Sequence, residues 1–363
     1  MTRSVTLFGL VAGGGSGVAR YAAALTRGLD RVHGEFPELR LTFLTNPAGA
    51  ERTPLDGIET RVVGLGGRRA ARGPLRLAIE HVLARRAPGD LLHFFDTTGP
   101  VLAPSRPFVA TAHDATIAYG YNPVRGGYKR RLYPWALKRA RAVVAVSAFA
   151  RDEVVHHFGA DPERIRVIHS GPGLAETDGA VAEPADEGPY LLYVGNLAAN
   201  KNLPFLVRAF GTSSAPGRLV LAGRPGEGYD ALQAELERST RRADVELRTD
   251  ASDAEIEGLY RGASALVLPS LYEGFGFTPL EAMSRGCPVV ASDIPAVREV
   301  SGDGALLVPL EERAWTDALD RVAGDQGLRD ELRERGRSTV ARYSWDETAR
   351  GVCRLFEELG ASL

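Results

Sequence analysis

The residues with most to offer chemically lie in one short run, Ser270-Leu-Tyr-Glu273-Gly274-Phe275-Gly276-Phe277-Thr-Pro279-Leu-Glu281-Ala-Met. Glu273 and Glu281 are eight positions apart and flank a Gly-Phe-Gly loop, and Pro279 suits the first turn of a helix. Carboxylates so placed can bind the hydroxyls of a sugar nucleotide while loop amides hold its phosphates. The plainer alternative makes Glu281 a first-turn acid favoured by the helix dipole and Glu273 a solvated loop acid. A second glycine cluster, Gly13-Gly14-Gly15-Ser16-Gly17, joins an expected strand to an expected helix. Its amides can form an anion site, but it has neither G-x-G-x-x-G nor Gly-Lys-Ser/Thr, and Val18 breaks G-x-S-x-G. The alternative is a tight connection that allows close packing. His113, followed by Asp114, falls at the end of an expected strand, where open α/β sheets bind ligands. A hydrogen-bonded structural histidine is the alternative there. His156-His157 has no third ligand at a convincing spacing and no Asp-x-Asp occurs, so no metal site is expected.

The elements that must position these groups follow from periodicity. Strands are expected at Val5–Leu10, Leu41–Thr45, Arg61–Leu65, Leu91–Phe95, Phe108–Thr111, Ala142–Val146 and Ile165–His169. Several are almost wholly apolar, as parallel strands buried on both faces are. Helices are expected between them at 17–32, 75–86, 125–140 and 148–158. The stretch 171–189 has the Gly, Pro and acid content of a linker. Alternation then resumes, with strands at Tyr190–Val194, Leu219–Ala222, Val245–Leu247, Ala265–Leu268, Val289–Ala291 and Ala305–Val308, and a last helix from Trp345. Two doubly wound α/β domains facing a central cleft are expected: residues 1–175, a linker at 176–188, and residues 189–344.

A chain of 363 residues is too long for one core, and 44% hydrophobic with 25% charged residues is ordinary for a globular protein. Two cysteines, Cys287 and Cys353, make neither a disulfide framework nor a thiolate zinc site, so an intracellular, cytoplasmic setting is expected. Net charge is −2, yet residues 1–175 carry 24 basic against 14 acidic side chains and the remainder 20 against 32. That asymmetry suggests that the first half meets an anionic partner. No apolar run approaches the ~18–20 residues of a membrane span. The apolar start looks like a signal peptide, but Val18, Tyr21, Ala22, Leu25, Leu29 and Val32 continue it at helical spacing, so it belongs to the fold. The basic segment Arg125–Arg141 interleaves Tyr128, Tyr133 and Trp135, which suits a helix lying on an anionic membrane. The alternative, and the expectation, packs a Tyr128/Leu132/Trp135 face on the sheet and solvates the basic side. No nucleic-acid recognition motif is present, so no nucleic-acid partner is expected.

The run from Ser270, continued by Ser284-Arg-Gly286-Cys-Pro288-Val-Val-Ala-Ser292, resembles the E-x7-E signature of retaining glycosyltransferases of family 4, which have the two-domain GT-B fold. Thr111-Ala-His113-Asp114, Val146-Ser147-Ala-Phe, Gly195-Asn196-Leu-Ala-Ala-Asn-Lys201, Leu259-Tyr260-Arg-Gly-Ala263 and Tyr343-Ser-Trp345-Asp also match, in order, over nearly the whole chain.

The resemblance implies a nucleotide-sugar donor and a hydroxyl acceptor. Glu281 would bind the ribose, Glu273 the sugar hydroxyls, and the Gly274–Phe277 amides would lie near sugar and diphosphate. Lys201 would neutralise the diphosphate, His113 would sit near the donor sugar, and Gly14, Gly15, Ser16 and Gly17, with Asp114, would border acceptor and phosphates. The helix 345–363 would cross back onto the first domain. Two departures stand out: Asn196 occupies a position where many relatives have arginine, with Arg224 after Gly223 as a compensating cation, and Ser170-Gly171 replaces a common Asn-Gly. The expected enzyme is a retaining, metal-independent hexosyltransferase without a cofactor, cytoplasmic or peripheral on the inner face of a membrane. An epimerase or phosphorylase of the same fold, or a tailoring transferase of small metabolites, is the alternative.

Overall fold

All thirteen runs expected as strands are strands, with their ends shifted by up to three residues. The computed structural model describes residues 3–14, 16–64, 81–97, 106–121, 123–172 and 188–360, and the side chains of 123–129 are not among them. Gly15, residues 65–80 with the 75–80 part of an expected helix, and most of the expected linker therefore lie outside the described residues. Contacts divide the chain into two units, Met1–Gly173 with Tyr343–Leu363, and Leu174–Arg342.

In the first unit, β1 (Arg3–Phe8), β2 (Leu39–Thr45), β3 (Glu59–Val62), β4 (Leu91–Phe94), β5 (Phe108–Ala112), β6 (Ala142–Ala145) and β7 (Ile165–Val167) form a parallel sheet in the order β3-β2-β1-β4-β5-β6-β7. In the second, β8 (Tyr190–Val194), β9 (Arg218–Ala222), β10 (Val245–Arg248), β11 (Ala265–Leu268), β12 (Val289–Ser292) and β13 (Leu306–Val308) repeat the scheme as β10-β9-β8-β11-β12-β13. Each sheet reverses its winding beside its first strand, at β1/β4 and at β8/β11. Loops leaving the carboxyl ends of such strands are where open α/β sheets bind ligands. The central strands β4, β5, β6, β8, β11 and β12 are buried along their whole length, which is why they read as largely apolar runs.

The helix Gly17–Val32 starts where Ser16 Oγ accepts the Ala19 amide at 3.2 Å. It buries Tyr21, Leu25 and Leu29. The terminal helix Trp345–Gly360 packs against it within the same unit. Trp345 Nε1 donates to the Pro172 carbonyl at 2.6 Å, Thr348 Oγ1 to that of His169 at 2.8 Å, and Arg350 takes both Glu35 oxygens at 2.7 and 2.8 Å. Gly28 permits this approach: a Cβ there would lie 2.7 Å from the Trp345 carbonyl oxygen.

After β2 the chain forms a short helix, Pro47–Arg52, because Asn46 accepts the Gly49 amide at 2.9 Å and proline fits the first turn. One expectation needs correction. The basic helix spans Pro123–Arg139, and Trp135 does not belong to its inward face, while the side chain of Tyr128 lies outside the described residues. Tyr133, Ala136, Leu137 and Ala140 are buried, whereas Trp135 is 39% exposed. Those four recur at i, i+3, i+4 and i+7 without a charge among them, whereas the stripe through Trp135 also carries Arg131, Lys138 and Arg139. No helix among the described residues is long and apolar enough to cross a membrane.

Candidate active site

In the second unit the loops after β8 and β11 are stitched together. Leu271 N donates to Asn200 O at 2.8 Å, and Asn200 Nδ2 donates to Tyr272 O at 3.2 Å. Asn202 then turns the chain with φ 56°, a left-handed conformation that asparagine tolerates, and opens the helix Leu203–Thr212. This turn delivers Lys201 to Glu273, with Nζ to Oε1 at 2.5 Å. Ser270 Oγ donates to the same Oε1 at 2.7 Å, while its own carbonyl is held by Ser292 Oγ at 2.6 Å. Glu273 is thus an ion-paired acid and not a solvated one. With both bonds converging on Oε1, Oε2 is the oxygen with capacity left for a ligand hydroxyl.

Gly276 (φ 111°) precedes the helix Phe277–Ser284, a backbone conformation that requires glycine. Buried Phe275 and half-buried Phe277, their rings 5.0 Å apart, anchor the loop whose amides include that of Gly274. Glu281 is the fifth residue of this helix and only 1% exposed, and Tyr260 OH donates to its Oε2 at 3.0 Å. On the other flank, the chain after β8 runs alongside the chain after β9. Gly223 (φ 154°) sits so close to Gly195 that a Cβ would lie 1.8 Å from the Gly195 carbonyl oxygen. Tyr193 OH donates to Asn196 O at 2.8 Å, and burial pushes that phenol's pKa well up. The side chains of Asn196 and Arg224 are exposed.

In the first unit the glycine loop after β1 is braced by residues with no motif signature. Asn46 Nδ2 donates to Leu10 O at 2.8 Å, and Arg52 Nη1 to Gly14 O at 3.0 Å. Gly14 and Gly17 are exposed, and the Ser16 hydroxyl serves as the helix cap. After β5, His113 Nε2 donates to the Phe95 carbonyl at 2.8 Å, which fixes the neutral tautomer and leaves Nδ1 as the acceptor. Asp114 Oδ1 accepts Thr116 N at 2.9 Å and Thr116 Oγ1 at 2.6 Å, so this acid shapes the turn after His113.

Behind His113 lies a packed cluster that the motifs did not disclose. Tyr21 meets the imidazole edge-on at 4.7 Å and Trp345 at 5.6 Å. Buried His93 reaches Thr111 Oγ1 at 3.0 Å and packs on Phe356. Burial lowers the pKa of both histidines, that of His93 to about 3, and proximity to His113 adds to the effect at His93. The one sequence signal was a histidine inside an otherwise apolar strand, Leu-Leu-His93-Phe-Phe. Among the described residues no group of three or more His, Cys, Asp or Glu side chains is placed to hold a metal ion.

The profile of Glycosyltransferase Family 4 matches residues 15–172 and that of Glycosyl transferases group 1 matches residues 176–339. The chain is 30% identical to the O-antigen chain mannosyltransferase B of Escherichia coli over 66% of its own length and 67% of that protein's. It is 33% identical to the D-inositol 3-phosphate glycosyltransferase of Nocardia farcinica over 62% of its own length and 54% of that protein's. Sucrose-phosphate synthase from Thermosynechococcus elongatus superposes with a TM-score of 0.76 over 99% of this chain and 100% of its own, at 20% identity. HepE of Anabaena, solved with UDP and glucose, gives 0.72 over 98% and 100% at 17%. Likeness at such identities is one of fold, the pair of doubly wound sheets of GT-B proteins. With both profiles matched in chain order, and E-x7-E and Lys201 placed at the β8/β11 switch, the chain belongs to glycosyltransferase family 4.

Proposed function

We propose that this chain is a retaining, metal-independent hexosyltransferase that moves a sugar from a UDP- or GDP-linked donor to a hydroxyl acceptor. The observation that carries the reading is the Lys201–Glu273 pair beside the Gly274–Phe277 loop. In this reading Lys201 turns from Glu273 to the departing diphosphate, and loop amides share the charge as the glycosidic bond loosens. Glu273 Oε2 takes a sugar hydroxyl, and Glu281 takes the ribose. His113, kept neutral by burial, offers Nδ1 to a donor hydroxyl. Attack from the leaving-group face, with the diphosphate helping to remove the acceptor proton, retains the configuration without a protein nucleophile. Gly14, Ser16 and Gly17 border the acceptor. No cofactor is needed.

An anionic lipid-linked acceptor is favoured by one feature, the outward Trp135 flanked by exposed Arg131, Lys138 and Arg139, with the Arg139 guanidinium 5.0 Å from the indole.

Incubation with labelled UDP- and GDP-hexoses in excess EDTA tests the whole reading. Transfer with the donor's anomeric configuration in the product is expected. Sugar isomerisation would instead mark an epimerase, and activity lost to EDTA and restored by Mg²⁺ would overturn metal independence. Glu281→Ala is expected to weaken nucleotide binding by about 1.5–3 kcal/mol, the value of hydrogen bonds to a charged group.

A further inference from the structure

The geometry points to Tyr260 as a positioning residue for Glu281, at the head of a buried network that sets the orientation of the donor-binding carboxylate before any ligand arrives. The inference rests on the reading of Glu281 as the ribose ligand. Tyr260 is fully buried near the end of the helix Asp253–Gly262, and its hydroxyl donates to Glu281 Oε2 at 3.0 Å. A bond from a neutral donor to a buried carboxylate is of the stronger, charge-assisted kind.

The same helix supplies a second anchor. Glu257, 3% exposed, is ion-paired with Arg285 and with Arg261, the latter at 2.9 Å. Arg285 in turn donates Nη1 to the Glu281 backbone carbonyl at 3.1 Å, and its guanidinium lies 5.8 Å from the Tyr260 ring. Both the side chain and the main chain of Glu281 are therefore held by residues of, or paired with, one helix.

A glutamate side chain has several rotatable bonds, and fixing it costs conformational entropy. Here that ordering is completed during folding, so it is not charged against nucleotide binding. Loss of the Tyr260 hydroxyl should therefore weaken the nucleotide without slowing the chemical step.

The test is a double-mutant cycle on the full chain, with UDP and GDP as probes in calorimetry and the donor in steady-state kinetics. Tyr260→Phe is expected to raise the nucleotide Kd about tenfold, the factor that about 1.4 kcal/mol gives, with kcat at saturating donor changed less than about twofold. In a Glu281→Ala background the same change is expected to add less than about twofold, since nothing remains to position. Equal losses in both backgrounds, or wild-type affinity in Tyr260→Phe while Glu281→Ala binds weakly, would overturn the positioning role. Wild-type affinity in Glu281→Ala would instead remove the ribose reading beneath it. Arg285→Lys keeps the charge opposite Glu257 but gives up the Nη1 bond to the Glu281 carbonyl, and so tests the second anchor should Tyr260→Phe not fold. It is expected to raise donor KM at unchanged kcat, and a fall in kcat with KM unchanged would overturn the proposal.

Discussion

Lys201 and Glu273 neutralise each other at 2.5 Å, with side chains 18% and 15% exposed, so neither charge is fully hydrated. Removing one partner strands the other. Lys201→Met is expected to lower kcat about 10²–10³-fold, as loss of one preorganised charge stabiliser does, with a smaller rise in donor KM. Equal and small changes in both parameters would sink the role given to Lys201. His93 makes a separate claim on stability. With a folded pKa of about 3 against about 6.5 unfolded, it stays neutral in the native state while the unfolded chain takes up a proton below pH 6.5. Stability should therefore fall with acidification through that window, by about 2 kcal/mol between pH 7 and 5 from this group alone. Urea midpoints at the two pH values should differ less in His93→Leu than in the parent chain, and an identical drop in both would remove the assignment.

The terminal helix is the element whose role is most physical and least chemical. It seals the face of the first sheet that carries His93 and His113, through Trp345 against Tyr21 and Phe356 against His93. The approach depends on Gly28. Alanine there gains up to about 1 kcal/mol of helix propensity, but its Cβ would stand 2.7 Å from backbone that cannot swing aside. Overpacking of this kind costs about 1–3 kcal/mol, so the clash should win and Gly28→Ala should lower the melting temperature. Its kcat should fall too, because Trp345 sets Tyr21 and Tyr21 sets the His113 ring. A stabilised Gly28→Ala would show that the helices separate easily.

At the scale of the molecule, charge is divided: the first half is basic and the second acidic. Part of the basic helix is already committed, since Arg130 donates to the Ile117 and Ala118 carbonyls at 3.2 and 2.9 Å. Arg131, Trp135, Lys138 and Arg139 are the outward set. Vesicles containing anionic lipid are expected to retain the protein at low ionic strength and release it near 0.5 M salt, where the Debye length is only a few ångströms. Replacing Arg131, Lys138 and Arg139 with glutamine should reduce retention without affecting nucleotide binding. Retention that is insensitive to salt and to these changes would exclude an electrostatic surface.

By itself the sequence determined the strands and the chemistry-bearing loops. Buried parallel strands must be apolar on both faces, and a glycine run such as Gly274-Phe275-Gly276 marks a backbone that must turn left-handed, at Gly276 with φ 111°. Motif order along the chain then carried the family. On the basic helix the aromatic residues Tyr133 and Trp135 alone do not mark the buried face, and the structure places Tyr133 inward along the uncharged stripe with Ala136, Leu137 and Ala140. Tertiary structure alone joined Tyr260 to Glu281, Lys201 to Glu273 and Trp345 to Tyr21. These partners are 21 to 324 residues apart, and no local propensity encodes a contact made only when two loops or two helices arrive at the same place.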